Sequence, residues 1–299
     1  MISKKLLLIV NPRSGRAKMN TELLKVVEIF SAADYTVTVY PTKAQGDATD
    51  YLLQLTENEY ELIVVCGGDG TLNEVITGMM QADLQIPLGY IPSGTLNEWS
   101  SGLNISRNIE AAAKDIIDGK KIRLDIGKFG DRYFSYTASF GAFTSASYSA
   151  PQDVKNVLGQ SAYFFEGIKS LAAIKPIHVK CKYEGGEFEG DYLFGAISNS
   201  LSVGGIVKYN KTAVELNDGQ FEVLLIKNPD NILKLQPIID GILKRDFSRE
   251  GIEFFRTSSV LIETNQPVSF TLDGEFAEII DELTVKNLHN AITFIIPQD

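Results

Sequence analysis

Hydrophobic positions in the first part of the chain switch repeatedly between two periods. Lys5 to Val10, Leu62 to Cys66 and Leu88 to Ile91 are continuous apolar runs, the pattern of strands buried on both faces, and Tyr35 to Tyr40 reads as a further strand. Between them, Leu23, Leu24, Val27 and Phe30 recur at helical spacing, and helices are predicted over about Asp47–Leu55, Leu72–Met80 and Ile109–Ile117. Strand and helix in alternation predict a parallel sheet covered on both faces.

Near Lys121 the pattern changes. Val179, Cys181 and Tyr183 alternate with Lys180, Lys182 and Glu184, Gly185-Gly186 supplies a turn, and Phe188 to Ile197 runs back as an antiparallel partner. Short strands follow at Phe221–Ile226, Val260–Ile262 and Val268–Leu272, with helices expected near Val154–Ala172 and Ile232–Leu243. The expected fold class is α/β plus β: a three-layer α/β domain over 1–128 and an antiparallel, sandwich-like β domain over 129–287. The last apolar strand, Ala291 to Ile296, is open to either half, and segment 288–299 is expected to return to the first.

Composition narrows the function classes. The 299 residues are 44% apolar, enough for a large core, and a net charge of −10 with dispersed basic residues argues against nucleic acid as a partner. The apolar N-terminal run ends at Asn11-Pro12 without a small-residue cleavage site and reads as a strand, and no apolar stretch approaches the ~20 residues that span a bilayer. Cys66 and Cys181 have neither metal-ligand nor disulfide spacing, which suits core thiols in a reducing cytoplasm. His178 and His289 lie far from the glycine motifs, against a Ser-His-Asp hydrolase or a His-rich zinc site.

The candidate chemistry lies in three loops that follow predicted parallel strands. Gly67-Gly68-Asp69-Gly70-Thr71 ends an apolar strand and opens a helix containing Leu72, Asn73 and Glu74; glycine lets backbone approach an anion, and a helix N-terminus points amides and dipole at it. Asn11-Pro12-Arg13-Ser14-Gly15 and Pro92-Ser93-Gly94-Thr95-Leu96-Asn97-Glu98 repeat that arrangement. Loops at the carboxyl ends of neighbouring parallel strands line one crevice, where open α/β sheets bind ligands. None of them fits the Walker A or G-x-G-x-x-G pattern.

In order and at these spacings the three loops, with Leu272-Asp273-Gly274-Glu275, resemble the diacylglycerol kinase catalytic-domain family along essentially the whole chain. The resemblance implies an ATP-dependent phosphotransferase acting on a lipid hydroxyl, with ATP in the cleft between an α/β and a β-rich domain. It places nucleotide contacts at Asn11 to Gly15, Thr42, Gly67 to Glu74, Gly94, Thr95 and Asn97. Asp69 is assigned to Mg2+, with Glu98, where family members often carry Asp, and Asp125 in the same carboxylate network. Either Asp273 or Glu275 is expected to accept the alcohol proton. A second cation site is implied at Asp218, with the carbonyls of Glu215 and Gln220.

Tyr133, Phe134, Tyr136, Phe140, Phe143, Tyr148 and Tyr163 to Phe165 are candidates for an acyl pocket or for core, and Lys169, Lys175, Lys180 and Lys182 for headgroup contact or a solvated face. The expected partner is a lipid at a membrane surface, approached peripherally from the cytoplasm, and exposed β edges leave a homodimer open. Two rival functions stand beside this one: a NAD kinase, and a non-catalytic protein that keeps nucleotide and lipid pockets.

Overall fold

A computed structural model describes residues 4–14, 18–56, 59–94, 97–141, 175–203, 207–209, 214–229, 231, 234–279 and 282–298. The chain divides into two compact units, one of Met1–Asp125 with Asn290–Asp299, the other of Ile126–His289.

In the first unit, β1 (Lys4–Val10), β2 (Tyr35–Pro41), β3 (Leu62–Gly67) and β4 (Leu88–Pro92) form a parallel sheet in the order β2-β1-β3-β4. The continuous apolar runs have the explanation expected of them: Leu6 to Ile9 and Ile63 to Cys66 have no exposed surface. Connections are made by α1 (Lys18–Ala32), α2 (Asp47–Leu52), α3 (Asp69–Gln81), α4 (Glu98–Gly102) and α5 (Ile109–Asp118). α5 is capped by Asn108, whose side chain accepts from the Ala111 N–H at 2.9 Å. The long final strand β17 (Glu282–Ile296) brings Phe294 beside Leu88 of β4, in parallel.

The second unit is antiparallel. A hairpin of β8 (Ile177–Tyr183) and β9 (Gly186–Ser198) forms as expected, but with Tyr183 opposite Gly186 its turn is Glu184-Gly185, one residue earlier than the expected Gly185-Gly186, because Gly186 already pairs in β9. Strand β5 (Lys120–Phe129) leads into this unit, which also holds β6 (Arg132–Phe134), β7 (Thr137–Gly141), the short pair β10 (Ser202–Val203) and β11 (Val207–Lys208), β12 (Phe221–Lys227), β13 (Ile252–Thr257), β14 (Ser259–Thr264), β15 (Val268–Leu272) and β16 (Glu275–Ile279). The order is β16-β15-β7-β9-β8-β14-β17, with β12 pairing both β9 and β13. Apart from Glu222 and Lys227, strand β12 is apolar because its two faces serve two clusters: Phe221, Val223 and Leu225 in one, Leu224 and Ile226 in the other, the latter packed with α6 (Leu235–Lys244).

Phe134 and Phe140 are core residues, and Tyr136 is buried with its hydroxyl on the Asp273 carbonyl at 2.8 Å. Lys180 pairs with Glu187 and Glu189, and Lys182 with Glu263, so both belong to the cross-strand ladder. The helix expected at Val154–Ala172, Phe143, Tyr148, Tyr163 to Phe165 and Lys169 lie outside the described residues.

Candidate active site

Strands β1, β3 and β4 end side by side, with Val10 paired to Cys66 and Gly67 to Pro92, so the loops that leave them start from neighbouring points. Backbone bonds extend the alignment one residue further. The Asn11 N–H donates to the Cys66 carbonyl at 2.9 Å and the Ser93 N–H to the Gly67 carbonyl at 2.8 Å.

Side chains then cross between the loops. Asn11 donates from Nδ2 to the Thr71 hydroxyl at 2.9 Å, and the Ser14 and Ser93 hydroxyls lie 2.6 Å apart. Asn97, buried and at φ 48°, accepts on Oδ1 from the Gly94 N–H at 3.0 Å and donates from Nδ2 to the Gly94 carbonyl at 2.7 Å. Tyr90 fastens this loop from beneath, its hydroxyl 3.2 Å from Asn97 Oδ1 and 3.3 Å from the Gly67 carbonyl. Burial first, and then the charge of Asp69, push the Tyr90 phenol far above its usual range, so it stays a donor. Burial likewise raises the Cys66 thiol to about 12, despite a hydrogen bond to Ser93, and leaves it inert.

The glycine segment is the first turn of α3 itself rather than a loop before it. Gly68 is the extended N-cap, with φ −89° and no side-chain cap, and the helix proper begins at Asp69. First-turn amides have no acceptor within a helix, so their N–H groups and the positive dipole end face the same place. Gly68 and Gly94 touch across this place: a Cβ on Gly94 would lie 2.6 Å from the Gly68 Cα and 2.9 Å from Asn97 Oδ1. The two backbones pack with no side chain between them, and because the Gly94 N–H is taken by Asn97, the amides an anion could use here are those of the first turn of α3.

The other expected contacts are distributed around this centre. Pro12 and Arg13 are exposed, Asn73 and Glu74 half-buried, and Leu72 is a core residue that can offer only backbone. The Thr42 N–H donates to the Val10 carbonyl at 2.8 Å, which holds the end of β2 against the end of β1. Asp69 carries its Oδ1 out of solvent. Asp125 is fully buried, with Oδ1 accepting from the Asn290 N–H at 2.7 Å. Gly15, Thr95 and the Glu98 side chain lie outside the described residues, among which no three His, Cys, Asp or Glu side chains form a metal-binding group.

In the second unit Asp273 and Gly274 form a two-residue turn between β15 and β16, both with positive φ, 50° and 85°. The Asp273 carboxylate is buried and accepts three backbone N–H bonds, on Oδ2 from Ser135 at 2.6 Å and on Oδ1 from Tyr136 at 2.9 Å and Thr137 at 3.0 Å. Glu275 is half-buried at the start of β16. Asp218 accepts on Oδ1 from the Gln220 N–H at 2.9 Å and is ion-paired through Oδ2 with Arg256 Nη2. Sequence reading missed Tyr90, Glu222 and Arg256, since a tyrosine in an apolar strand and charges in short strands carry no local signal of their partners.

Strand-end loops cross-linked on a parallel sheet, and an antiparallel β unit beyond them in the chain, make a two-unit α/β plus β protein. The family model for the diacylglycerol kinase catalytic domain matches residues 5–129. A diacylglycerol kinase of Bacillus subtilis (strain 168) is 31% identical over 99% of this chain and 97% of its own length. One of Staphylococcus epidermidis is 30% identical over 99% of this chain and 93% of its own. The crystal structure of a diacylglycerol kinase from Bacillus anthracis str. Sterne superposes with a TM-score of 0.80 at 29% identity, covering 99% of this chain and 98% of that one. This chain belongs to the diacylglycerol kinase family and is a kinase.

Proposed function

We propose that this chain transfers the γ-phosphoryl group of ATP to the hydroxyl of diacylglycerol or a closely related lipid, working from the cytoplasm at a membrane surface. The observation that carries the reading is the cross-linking of three strand-end loops through Asn11–Thr71, Ser14–Ser93 and Gly94–Asn97, which leaves α3 amides and glycine backbone facing one place. Phosphoryl transfer asks little covalent chemistry of a protein; positioning and electrostatic stabilisation supply most of the rate. No helix among the described residues is long and apolar enough to cross a membrane, so the lipid is met peripherally in this proposal.

Each residue has a role that follows from its surroundings. The amides of Gly68 to Thr71 hold phosphate oxygens, while Asn11, Ser14 and Asn97 fix the loops that carry them, Ser14 donating its hydroxyl to the Asn11 carbonyl at 3.0 Å. Mg2+ bound with the nucleotide offsets phosphate charge. Asp69 suits that ion as a hard oxygen donor at the first helical position, with Glu98 kept as a second carboxylate. Asp125 we assign to holding the Asn290 backbone, where one of its oxygens is engaged.

For the proton acceptor we choose Glu275 over Asp273. Accepting a proton on Asp273 would cost hydrogen bonds to Ser135, Tyr136 or Thr137 that fix the turn, whereas Glu275 is half-buried beside it. The test is an acceptor panel with γ-labelled ATP and mass-resolved products, comparing dispersed diacylglycerol, other lipid alcohols and NAD. A phosphorylated diacylglycerol or related lipid is expected. Phosphorylated NAD with untouched lipids contradicts the proposal, and ATP binding without transfer to any acceptor favours a non-catalytic protein.

A further inference from the structure

The loop at Leu216 to Gln220 is where the family resemblance implies a second divalent cation, held by Asp218 and the carbonyls of Glu215 and Gln220. Its surroundings already contain a cation. Arg256 lies on β13 directly opposite Glu222 of β12. From there its guanidinium bonds two carboxylates, through Nη2 to Asp218 Oδ2 and through Nε to Glu222 Oε1 at 3.1 Å. Asp218 turns its other oxygen to the Gln220 amide at 2.9 Å, and the Leu216 carbonyl accepts from Asn199 Nδ2 at 3.4 Å.

We propose that Arg256 takes the place of the second divalent cation, closing the Asp218 loop with a side chain, so that this chain needs no metal ion there. Three observations carry the inference. A guanidinium presents a rigid planar fork that matches carboxylates better than any point charge. Glu222 has no exposed surface and its Oε2 has no hydrogen-bond partner, so the Arg256 bond to Oε1 is what offsets a buried acid. A divalent ion on Asp218 would sit beside that fixed positive charge. Hard cations take six or more oxygen ligands, and this loop's one carboxylate is already bonded on both oxygens.

The test uses the full chain without nucleotide and reads bound metal and thermal stability, neither of which depends on turnover. After dialysis against chelator, wild type and Asp218→Asn are expected to carry the same amount of divalent metal. Wild-type melting temperature is expected to be the same in chelator as in millimolar Mg2+ or Ca2+. Arg256→Gln should melt on the order of 5–10 °C lower. It should also gain a rise in melting temperature with Mg2+ or Ca2+ that the Asp218→Asn/Arg256→Gln double variant lacks. A tightly bound ion in wild type that is lost in Asp218→Asn overturns the proposal, as does a Mg2+-dependent rise in wild type that Asp218→Asn abolishes. An unchanged melting temperature in Arg256→Gln overturns it too. If Arg256→Gln does not fold, the metal content of wild type against Asp218→Asn decides.

Discussion

The Asn11 side chain, just past the end of β1, donates a 2.9 Å hydrogen bond to the hydroxyl of Thr71 in the first turn of α3, 60 residues along the chain. The same side chain accepts from the Arg13 amide at 2.9 Å on Oδ1, so one residue shapes its own loop and ties it to the glycine helix. Asn11→Ala removes both bonds. A stability loss of about 1–2 kcal/mol is expected from denaturant unfolding, together with a weaker ATP affinity in a calorimetric titration. Unaltered affinity would mean that the two loops do not need each other to bind nucleotide.

The two acids at the β15–β16 turn are expected to fail differently when neutralised. Asp273→Asn puts an amide N–H2 against backbone donors that now meet carboxylate oxygens, and should lose roughly 2–4 kcal/mol of folding stability. Glu275→Gln should leave stability within about 0.5 kcal/mol while lowering kcat by about 10²–10⁴, the range of a lost general base. Unfolding curves and turnover measured on both variants separate the roles. Full activity in Glu275→Gln would reverse the assignment.

A pH effect is expected at the β8–β9 hairpin. A hydrogen bond to Asp191, at 2.9 Å, is the main cause that raises the His178 pKa above its usual value; burial is the next and opposes it, and the Asp191 charge and Glu189 add to the rise. Folding therefore favours the protonated ring. The resulting stabilisation is complete below the unfolded pKa of about 6.5 and fades as pH rises through the higher folded value. Comparing wild type with His178→Gln across that interval should show their stability difference shrinking with rising pH. A difference that grows with pH would contradict the pairing.

Much of the fold was legible because buried strands and amphipathic helices carry different periods. The runs at Leu6, Leu62 and Leu88 mark strands whose two faces are both covered, and the β8–β9 hairpin shows in the alternation of Val179, Cys181 and Tyr183. Helix starts were less legible. Glycine's poor helix propensity places the start of α3 at Leu72, yet the helix begins at Asp69, since Gly68 in an extended conformation serves as its N-cap and the first turn then runs through Gly70. Helix α2 stops at Leu52 rather than Leu55, where Leu53 is exposed and the chain turns. In β17, charged and polar positions from Glu282 to Asn290 hide a strand that sequence shows only from Ala291.

Of the site, residue types and order were visible and the bonds between them were not. Nothing local to Tyr90 distinguishes a core tyrosine from one whose hydroxyl holds Gly67 and Asn97. The turn at Asp273-Gly274 reads as a turn from its dipeptide, but three N–H donors from residues 135 to 137 are a long-range fact. Likewise, Arg256 meets Asp218 and Glu222 only through the pairing of β12 with β13.

The central claim is that glycine backbone, left open by the close approach of Gly68 and Gly94, holds the phosphates of ATP. Calorimetric titration of Mg-ATP into wild type and Gly94→Ala tests it most directly, because the added Cβ would lie 2.6 Å from the Gly68 Cα and must push the two loops apart. The account predicts that Gly94→Ala stays folded and binds ATP at least about tenfold more weakly, a loss of about 1.4 kcal/mol. Equal affinity in the two proteins, with both folded, would contradict it.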